Sequence, residues 1–324
     1  MSQPDKMQKQ ACSARDTSVA VIGAGSIGTA LTFVFAAAGC AVRVYEPDAA
    51  QIAELQPRLR QILSDLTEFG LSDADEEELL SRVSVEPDLT SVLAGVAYVQ
   101  ECGPENLAEK QRLFAALDRL AGPDVVLASS SSMITASEFA GSLQGAARCL
   151  VAHPGNPPYL FGVVEVVAAP FTAPDIVGRA TGFLDAVGLT PVVVRKEQRG
   201  FVFNRLQGAM LREAYCLVRD GVVDADNIDR LVRDGLGLRW SVVGPFETVD
   251  LNTRGGIARH AELLGPAYAE MGAERGQDDP WTPELIASVE AERRSLLPLD
   301  EWPQRVRWRD RAIMGLLAAR RRQN

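Results

Sequence analysis

The residues best suited to proton transfer in this sequence are His153 and Glu165, a histidine and a carboxylate twelve positions apart. His153 lies in "VAHPGNPPYL", where three prolines fix an irregular loop at the end of an apolar run. Glu165 lies inside "VVEVV", and a carboxylate among valines is costly to bury without a partner. A carboxylate that accepts the ring N–H of a histidine fixes its tautomer and makes the other ring nitrogen a better base. The pair therefore predicts a general base.

A second group of residues has the types and spacing that bind phosphate. The segment 18–48, "SVAVIGAGSIGTALTFVFAAAGCAVRVYEPD", has the pattern of a strand, a turn, a helix and a second strand. Gly23, Gly25 and Gly28 give the turn a GxGxxG spacing. The first glycine allows a tight turn, the second lets a pyrophosphate approach the backbone, and the third lets helix and strand pack closely. The spacing predicts a dinucleotide site.

The residues that follow this turn indicate which dinucleotide it binds. A helix with Ser26 and Ile27 in its first turn offers N–H groups and a positive dipole end to the phosphates. Glu46, at the end of the second strand, is expected to bond the adenosine ribose hydroxyls. Its charge repels a 2′-phosphate, and no arginine follows it in the turn. The predicted cofactor is NAD rather than NADP.

The remaining pattern predicts the elements that position these residues. Further strands are expected at 96–102, 125–131, 148–154, 163–170 and 191–197, with helical segments between several of them. Such alternation is typical of an α/β domain with a Rossmann-type, doubly wound, mostly parallel sheet, whose ligands bind at the carboxyl ends of the strands. From residue 200 onward the periodicity is helical. We expect a flexible tail at 1–16, an NAD-binding domain at 17–198, and an all-α substrate and dimerisation domain at 199–324.

The composition excludes several classes of function. A formal net charge of −10 disfavours nucleic-acid binding, which needs a basic surface. The five cysteines are scattered without a CxxC pair, which argues against both a disulfide framework and a zinc site. Without a membrane-length apolar run or a signal-peptide core, a cytoplasmic protein with no membrane partner is expected. The basic segment "RVRWRDRAIMGLLAARRRQN" favours a solvated or subunit-facing amphipathic helix over a nucleic-acid arm.

Several longer strings of residues indicate a known family. In chain order they are "GAGSIG", "ECGPENLAEK", "SSSS", "VAHPGNPPYL", "VVEVV", "GFVFNRLQ", "GLGLRW" and "GPFETVDLN". Together they resemble the short-chain L-3-hydroxyacyl-CoA dehydrogenase superfamily, and within it the lambda-crystallin type of L-gulonate 3-dehydrogenase. The resemblance implies an enzyme of the EC 1.1.1 class that oxidises the 3-hydroxyl of a small L-hydroxy acid with NAD. It also implies a homodimer, which the amphipathic helices of the second domain support.

The resemblance assigns catalytic and substrate-contacting roles to four residues. It makes His153 the general base and Glu165 its orienting partner. Ser132 falls on the family's substrate-contacting serine, and Asn204 falls on its active-site asparagine. The residues alone leave alternatives, because Ser132 belongs to a run of serines typical of a loop. Asn204 equally suits an ordinary polar position on a helix.

The resemblance also assigns cofactor contacts. Glu105 and Lys110 match family residues that contact the cofactor near the nicotinamide ribose. Glu46 stands where the family usually has aspartate, a conservative difference. The related β-hydroxyacid dehydrogenases use a catalytic lysine instead, but none of the four lysines here lies in a helical GxxxK pattern of the second domain.

The substrate is the least determined part of the prediction. Arg239, in "GLRW", lies where acyl-CoA enzymes generally lack an arginine, and a guanidinium suits a free carboxylate. A structural salt bridge is the other interpretation of this residue. The acidic stretch at 73–78 disfavours the phosphates of coenzyme A. L-Gulonate is therefore expected first, with L-carnitine or a short-chain acyl-CoA as alternatives and a crystallin-like structural role as the non-enzymatic one.

Overall fold

The structure is a computed structural model that describes residues 14–241, 243–254, 256–275, 284 and 298–321. The predicted tail at 1–16 falls outside the described residues except at its last three positions. The chain divides into two compact units, and the first extends to Asn204 and resumes at Arg307. The second is Arg205–Val306.

An eight-stranded sheet forms the first unit. Its strands are β1 (Ser18–Ile22), β2 (Ala41–Tyr45), β3 (Val83–Val85), β4 (Tyr98–Glu101), β5 (Val126–Ser129), β6 (Cys149–Pro154), β7 (Val163–Ala168) and β8 (Thr190–Val194). The order across the sheet is β3-β2-β1-β4-β5-β6-β7-β8, with every neighbouring pair parallel except β6 and β7. The predicted doubly wound, mostly parallel sheet is confirmed.

Helices connect the strands and continue beyond the sheet. Those of the first unit are α1 (Ser26–Ala37), α2 (Ala49–Glu68), α3 (Glu76–Ser81), α4 (Leu89–Val92), α5 (Leu107–Leu120), α6 (Ala136–Ala140) and α7 (Pro174–Ala186). The chain continues with α8 (Phe203–Arg219), α9 (Ala225–Leu231), α10 (Gly237–Trp240), α11 (Pro245–Asn252), α12 (Gly256–Arg275) and, in the C-terminal segment, α13 (Trp302–Arg321). The predicted helical second half is confirmed.

Both faces of the sheet are covered, as a parallel sheet requires. Successive residues of β1 point to opposite faces. Val19 and Val21 belong to one cluster of buried apolar side chains, and Ala20 and Ile22 belong to a second. The uniformly apolar sequence of β1 follows from this double burial.

The helical excursion predicted after β2 is present as α2 and α3. The chain turns between them at Gly70, which has a φ of +65°. The sequence pattern does not predict β3, which pairs with β2. This strand has three residues and only its first is even partly buried, so it lacks the apolar run that marks the other strands.

The basic C-terminal segment forms a helix as far as Arg321, and its Arg307 and Arg311 pair with the protein's own acidic residues. Arg311 bonds Asp65 at 2.9 Å and also contacts Glu68, both on α2. Met314 and Ala318 of the same helix are buried. The apolar side of α13 therefore packs within the first unit.

The described residues include no membrane-length apolar helix and no metal-binding cluster. None of the helices there is long and apolar enough to cross a membrane. Within the same ranges, no cluster of histidine, cysteine, aspartate and glutamate is suited to hold a metal ion. Cys40, Cys149 and Cys216 are buried and Cys102 is partly buried, while Cys12 lies outside the described residues. Burial raises the pKa of Cys102 and of Cys149 to about 12, so both thiols stay protonated and unreactive at neutral pH.

The second unit carries many large apolar side chains on its surface. They include Leu206, Val222, Leu231, Leu238, Phe246 and Leu251. Leu206 lies on α8, within the part of the chain where the sequence predicts helical periodicity.

Candidate active site

The turn after β1 leaves room for a ligand close to the backbone. Gly23 has a φ of +106°, and a Cβ there would lie 2.9 Å from the carbonyl oxygen of Cys102. A Cβ on Gly28 would lie 1.9 Å from the carbonyl oxygen of Gly23. A Cβ on Gly25 would meet no protein atom within 4 Å. Two of the glycines are therefore required by the turn itself, and Gly25 leaves open space beside it.

Glu46 holds this turn from the neighbouring strand. Its Oε2 accepts a hydrogen bond from Ala24 N at 2.7 Å, directly after β2 ends. The helix α1 begins at Ser26, with Ile27 next, and no side chain caps its N-terminus. Uncapped N–H groups at a helix N-terminus form an anion site. The open space beside Gly25 and the uncapped helix N-terminus fit the pyrophosphate of a dinucleotide.

His153 and Glu165 lie opposite each other on β6 and β7. These two strands are the antiparallel pair of the sheet, and their register places the two residues side by side. His153 Nδ1 is 2.8 Å from Glu165 Oε2, and both side chains are buried. The bond requires the proton on Nδ1, so Nε2 carries the free lone pair. The pairing that the sequence predicts is present.

The second oxygen of Glu165 binds the start of α8. Glu165 Oε1 accepts hydrogen bonds from Val202 N at 2.7 Å and from Phe203 N at 2.9 Å. Burial by itself would raise the pKa of Glu165, but the bonds from His153 and from these backbone groups outweigh it and hold the pKa below its usual range. The carboxylate is therefore charged at neutral pH.

The turn before α8 places the ring of Phe201 next to the imidazole of His153. Phe201 has a φ of +48°, which is unfavourable for a bulky side chain, and its side chain is fully buried. Its ring centroid lies 5.7 Å from that of His153. The turn also directs the Val202 and Phe203 N–H groups at Glu165. Sequence reasoning missed Phe201, although "GFVFN" places a glycine and an aromatic residue just before Asn204.

Ser132 and Asn204 are joined directly. Asn204 Nδ2 donates to the backbone oxygen of Ser132 at 3.0 Å, and the amide keeps a second N–H. Glu105 holds the same loop, because its Oε1 accepts from Ser132 N at 3.2 Å, Met133 N at 2.8 Å and Ile134 N at 3.2 Å. Glu105 therefore supports the loop on which Ser132 lies.

Lys110 pairs with Glu101 on the neighbouring strand end, and Arg239 belongs to the second unit. Lys110 is 2% exposed, and its Nζ donates to both carboxylate oxygens of Glu101 at 2.9 Å. Sequence reasoning did not single out Glu101, although a lone acid at the end of "VAYVQE" carries the same signal as Glu165 among its valines. Arg239 lies on the short helix α10 of the second unit, with an exposed side chain.

Comparison with known proteins places these features in a family. Residues 18–198 match the 3-hydroxyacyl-CoA dehydrogenase NAD-binding domain, and residues 200–296 match the C-terminal domain of the same family. The lambda-crystallin homolog of Bos taurus is 39% identical over 267 residues, which are 79% of this chain and 83% of that protein. The L-carnitine dehydrogenase of Streptomyces coelicolor is 33% identical over 287 residues, 87% of this chain and 82% of the relative.

A solved structure agrees with this assignment. The NAD⁺-dependent dismutase 5-formyl-3-hydroxy-2-methylpyridine 4-carboxylic acid 5-dehydrogenase superposes with a TM-score of 0.75. It is 28% identical, and the match covers 86% of this chain and 87% of that one. The glycine turn, the NAD-binding domain match and the helical C-terminal match together confirm the predicted cofactor and class of enzyme. The chain belongs to the 3-hydroxyacyl-CoA dehydrogenase family of NAD-dependent oxidoreductases.

Proposed function

We propose that this protein oxidises the 3-hydroxyl group of a small L-hydroxy acid, with L-gulonate as the first candidate. The observation that carries the proposal is the bond between His153 and Glu165, which leaves Nε2 as the basic ring nitrogen. A buried histidine of fixed tautomer is suited to take the proton of a secondary alcohol as a general base. Bound NAD supplies the acceptor for the hydride that leaves the alcohol carbon.

The other residues of the site hold the reacting oxygen. His153 takes the hydroxyl proton on Nε2, and the charged Glu165 stabilises the imidazolium that forms. Ser132 and Asn204 donate hydrogen bonds to the oxygen as it becomes a carbonyl. The glycines at 23, 25 and 28, with Ser26, Ile27 and Glu46, hold the dinucleotide. Proton transfer of this kind contributes about 10²–10⁴-fold in rate.

The substrate proposal rests on a free carboxylate. Arg239 is its proposed partner, because a guanidinium forms two parallel hydrogen bonds with a carboxylate. A thioester has no carboxylate to pair with it. The relative named L-carnitine dehydrogenase favours carnitine-like acids as the second candidate. The acidic stretch is a weaker argument against coenzyme A than its sequence indicates. Two of its acids are paired with arginines: Glu76 with Arg60 at 2.9 Å and Glu78 with Arg82 at 3.1 Å.

A substrate panel tests the proposal. NAD reduction is followed with L-gulonate, L-carnitine, L-3-hydroxybutyrate and an L-3-hydroxyacyl-CoA thioester, for wild type and Arg239→Met. A charge-assisted hydrogen bond contributes about 1.5–3 kcal/mol, so the substitution is expected to cost about tenfold or more in kcat/KM on free acids. Arg259→Met is the matched control, because Arg259 forms a surface pair with Glu262 on α12. If the thioester is the best substrate and Arg239→Met keeps the wild-type kcat/KM, the substrate is an acyl-CoA and not a free hydroxy acid.

Two expectations about the whole protein belong with this proposal. The exposed apolar side chains of the second unit support a homodimer built through that unit. Light scattering at micromolar concentration tests it, and a monomer would contradict it. A cytoplasmic location stays a prediction from composition, and cell fractionation tests it.

A further inference from the structure

A buried glutamine lies on an apolar face of the central strand β4. Gln100 is 1% exposed, and its register neighbours are Val21 on β1 and Ala128 on β5. A polar side chain in such surroundings is costly to bury unless its polar atoms are bonded. The small side chain of Ala128 lets the amide of Gln100 extend across β5 to the strand beyond it.

The amide of Gln100 is bonded at both of its polar atoms. Its Oε1 accepts a hydrogen bond from Tyr98 Oη at 2.7 Å. Its Nε2 donates to Ser130 Oγ at 2.7 Å and to the backbone oxygen of Ala152 at 3.2 Å. A carbonyl oxygen can only accept, so the bond to Ala152 requires the nitrogen of the amide on that side. The partners therefore fix the orientation of the amide.

The two donated bonds join β5 and β6 where the pairing of these strands ends. Their last register pair is Ser129 with Val151. Ser130 and Ala152 each lie one residue farther along the chain. Ligands of a doubly wound sheet bind in the crevice beyond the carboxyl ends of its strands. Gln100 therefore bridges two chain segments at the edge where such a crevice begins.

Each bridged segment leads directly to a residue of the proposed mechanism. The carbonyl of Ala152 belongs to the peptide bond that joins it to His153, and Ser132 follows Ser130 by two positions. We propose that Gln100 is a positioning residue, whose amide holds the strand of the histidine and the loop of the serine at the spacing that alcohol oxidation needs. The roles of His153 and Ser132 rest on the proposed function, whereas the bridge is a property of the free protein.

The kinetics of Gln100→Met test the positioning role. This change removes the bridge and keeps an unbranched side chain of similar length. Its kcat on the best substrate of the panel should fall about tenfold or more, because a misplacement of about 1 Å costs up to about 100-fold in rate. The Kd for NAD should stay at the wild-type value.

Tyr98→Phe is the matched control for this variant. It removes the bond to Gln100 Oε1 and leaves both donated bonds of the bridge. Both variants leave a buried polar atom without a partner, so both should lower Tm. Only Gln100→Met should lose activity, while Tyr98→Phe keeps kcat within about twofold of wild type. An equal fall of kcat in the two variants, or wild-type kcat in Gln100→Met, would overturn the proposal.

Spectra of the histidine rings test the bridge without turnover. The chain has two histidines, so protein labelled with ¹⁵N in these rings and free of a purification tag gives two sets of signals. His153→Ala assigns them. In Gln100→Met the signals of His153 should shift or broaden, while those of His260, in the second unit, stay unchanged. Wild-type signals for His153 in Gln100→Met would show that the bridge does not hold this strand and would overturn the proposal.

Ser130→Ala tests the other end of the bridge, also if Gln100→Met does not fold. It removes the bond to the loop and keeps the bond to Ala152. The amides of 131–132 should therefore exchange about fivefold faster, while the ring signals of His153 stay as in wild type. Unchanged exchange at 131–132 would overturn the proposal. A wild-type enzyme that oxidises no hydroxy acid refutes the proposed function alone, and the ring spectra and exchange rates then decide whether the bridge holds both segments.

Discussion

The two halves of the candidate site are built by opposite physical means. The nucleotide half depends on backbone shape, because Gly28 lies too close to the carbonyl of Gly23 for any side chain. The proton-transfer half depends on buried carboxylates, because Glu165 holds His153 and the start of α8 together. Added volume should therefore damage the first half, and lost charge should damage the second.

The largest expected effect removes the base itself. His153→Ala should lower kcat by about 10²–10⁴-fold, because proton transfer is lost, while NAD still binds with wild-type affinity. Steady-state rates together with nicotinamide fluorescence titration measure the two quantities. Near-normal turnover in this variant would contradict the proton-transfer role of that half of the site.

The nucleotide half should fail through volume alone. Gly28→Ala is expected to weaken NAD binding by about 100-fold and to lower Tm, because its Cβ cannot avoid the carbonyl oxygen 1.9 Å away. Gly25→Ala is the matched variant, since its Cβ meets no protein atom within 4 Å. It should keep the wild-type Tm and weaken only NAD affinity. Equal loss of Tm in both variants would show that Gly25 serves the fold and not the ligand.

The charge of Glu165 should give the proton-transfer half a dependence on pH. The pKa of Glu165 in the folded protein lies below the ordinary value of 4.5. The charged carboxylate therefore stabilises the fold fully above pH 4.5, and this stabilisation is lost as the pH falls through the folded-state pKa. Glu165→Gln should lower the free energy of unfolding by about 1.5–3 kcal/mol at neutral pH. Urea unfolding of both proteins at about pH 7 and about pH 3 measures the difference. If the difference in unfolding free energy between the two proteins is the same at both pH values, the charge of Glu165 does not stabilise the fold.

A surface charge offers the smallest effect and sharpens the contrast with the buried ones. Arg60→Met should lower Tm by about 2 °C or less, because its pair with Glu76 is exposed to water, where ion pairs are screened and contribute little. The loss should shrink further when salt is added. Differential scanning calorimetry at low and high salt measures both. If Tm falls as much as it does in Glu165→Gln, burial does not determine how much a charged side chain stabilises this protein.

The sequence predicts local features of this protein better than distant ones. The glycine turn, the helix after it and Glu46 lie within one short segment, where spacing alone determines the geometry. The partner of Glu165 could also be predicted, since an isolated acid among valines needs one. The structure adds the reason for their contact, which is the single antiparallel pairing in the sheet. Sequence pattern does not report strand direction.

Other features depend on contacts that no spacing reveals. β3 is too short and too exposed to show an apolar run. The backbone bonds from Val202 and Phe203 to Glu165 depend on a turn with Phe201 in a left-handed conformation, which an aromatic residue rarely adopts. The burial of Lys110 against Glu101 depends on how α5 lies over the ends of β4 and β5. These features arise from tertiary packing, which overrides local preference.

The C-terminal helix α13 has a consequence for how the protein is made. Its Arg311 bonds Asp65 across 246 positions of sequence, so the first unit is completed by residues that are synthesised only after the whole second unit. A nascent chain on the ribosome therefore holds α2 before the helix that pairs with it has been made. Apolar surface later covered by Met314 and Ala318 is exposed to water during that interval. Such partly covered intermediates are prone to aggregate until the helix has been made.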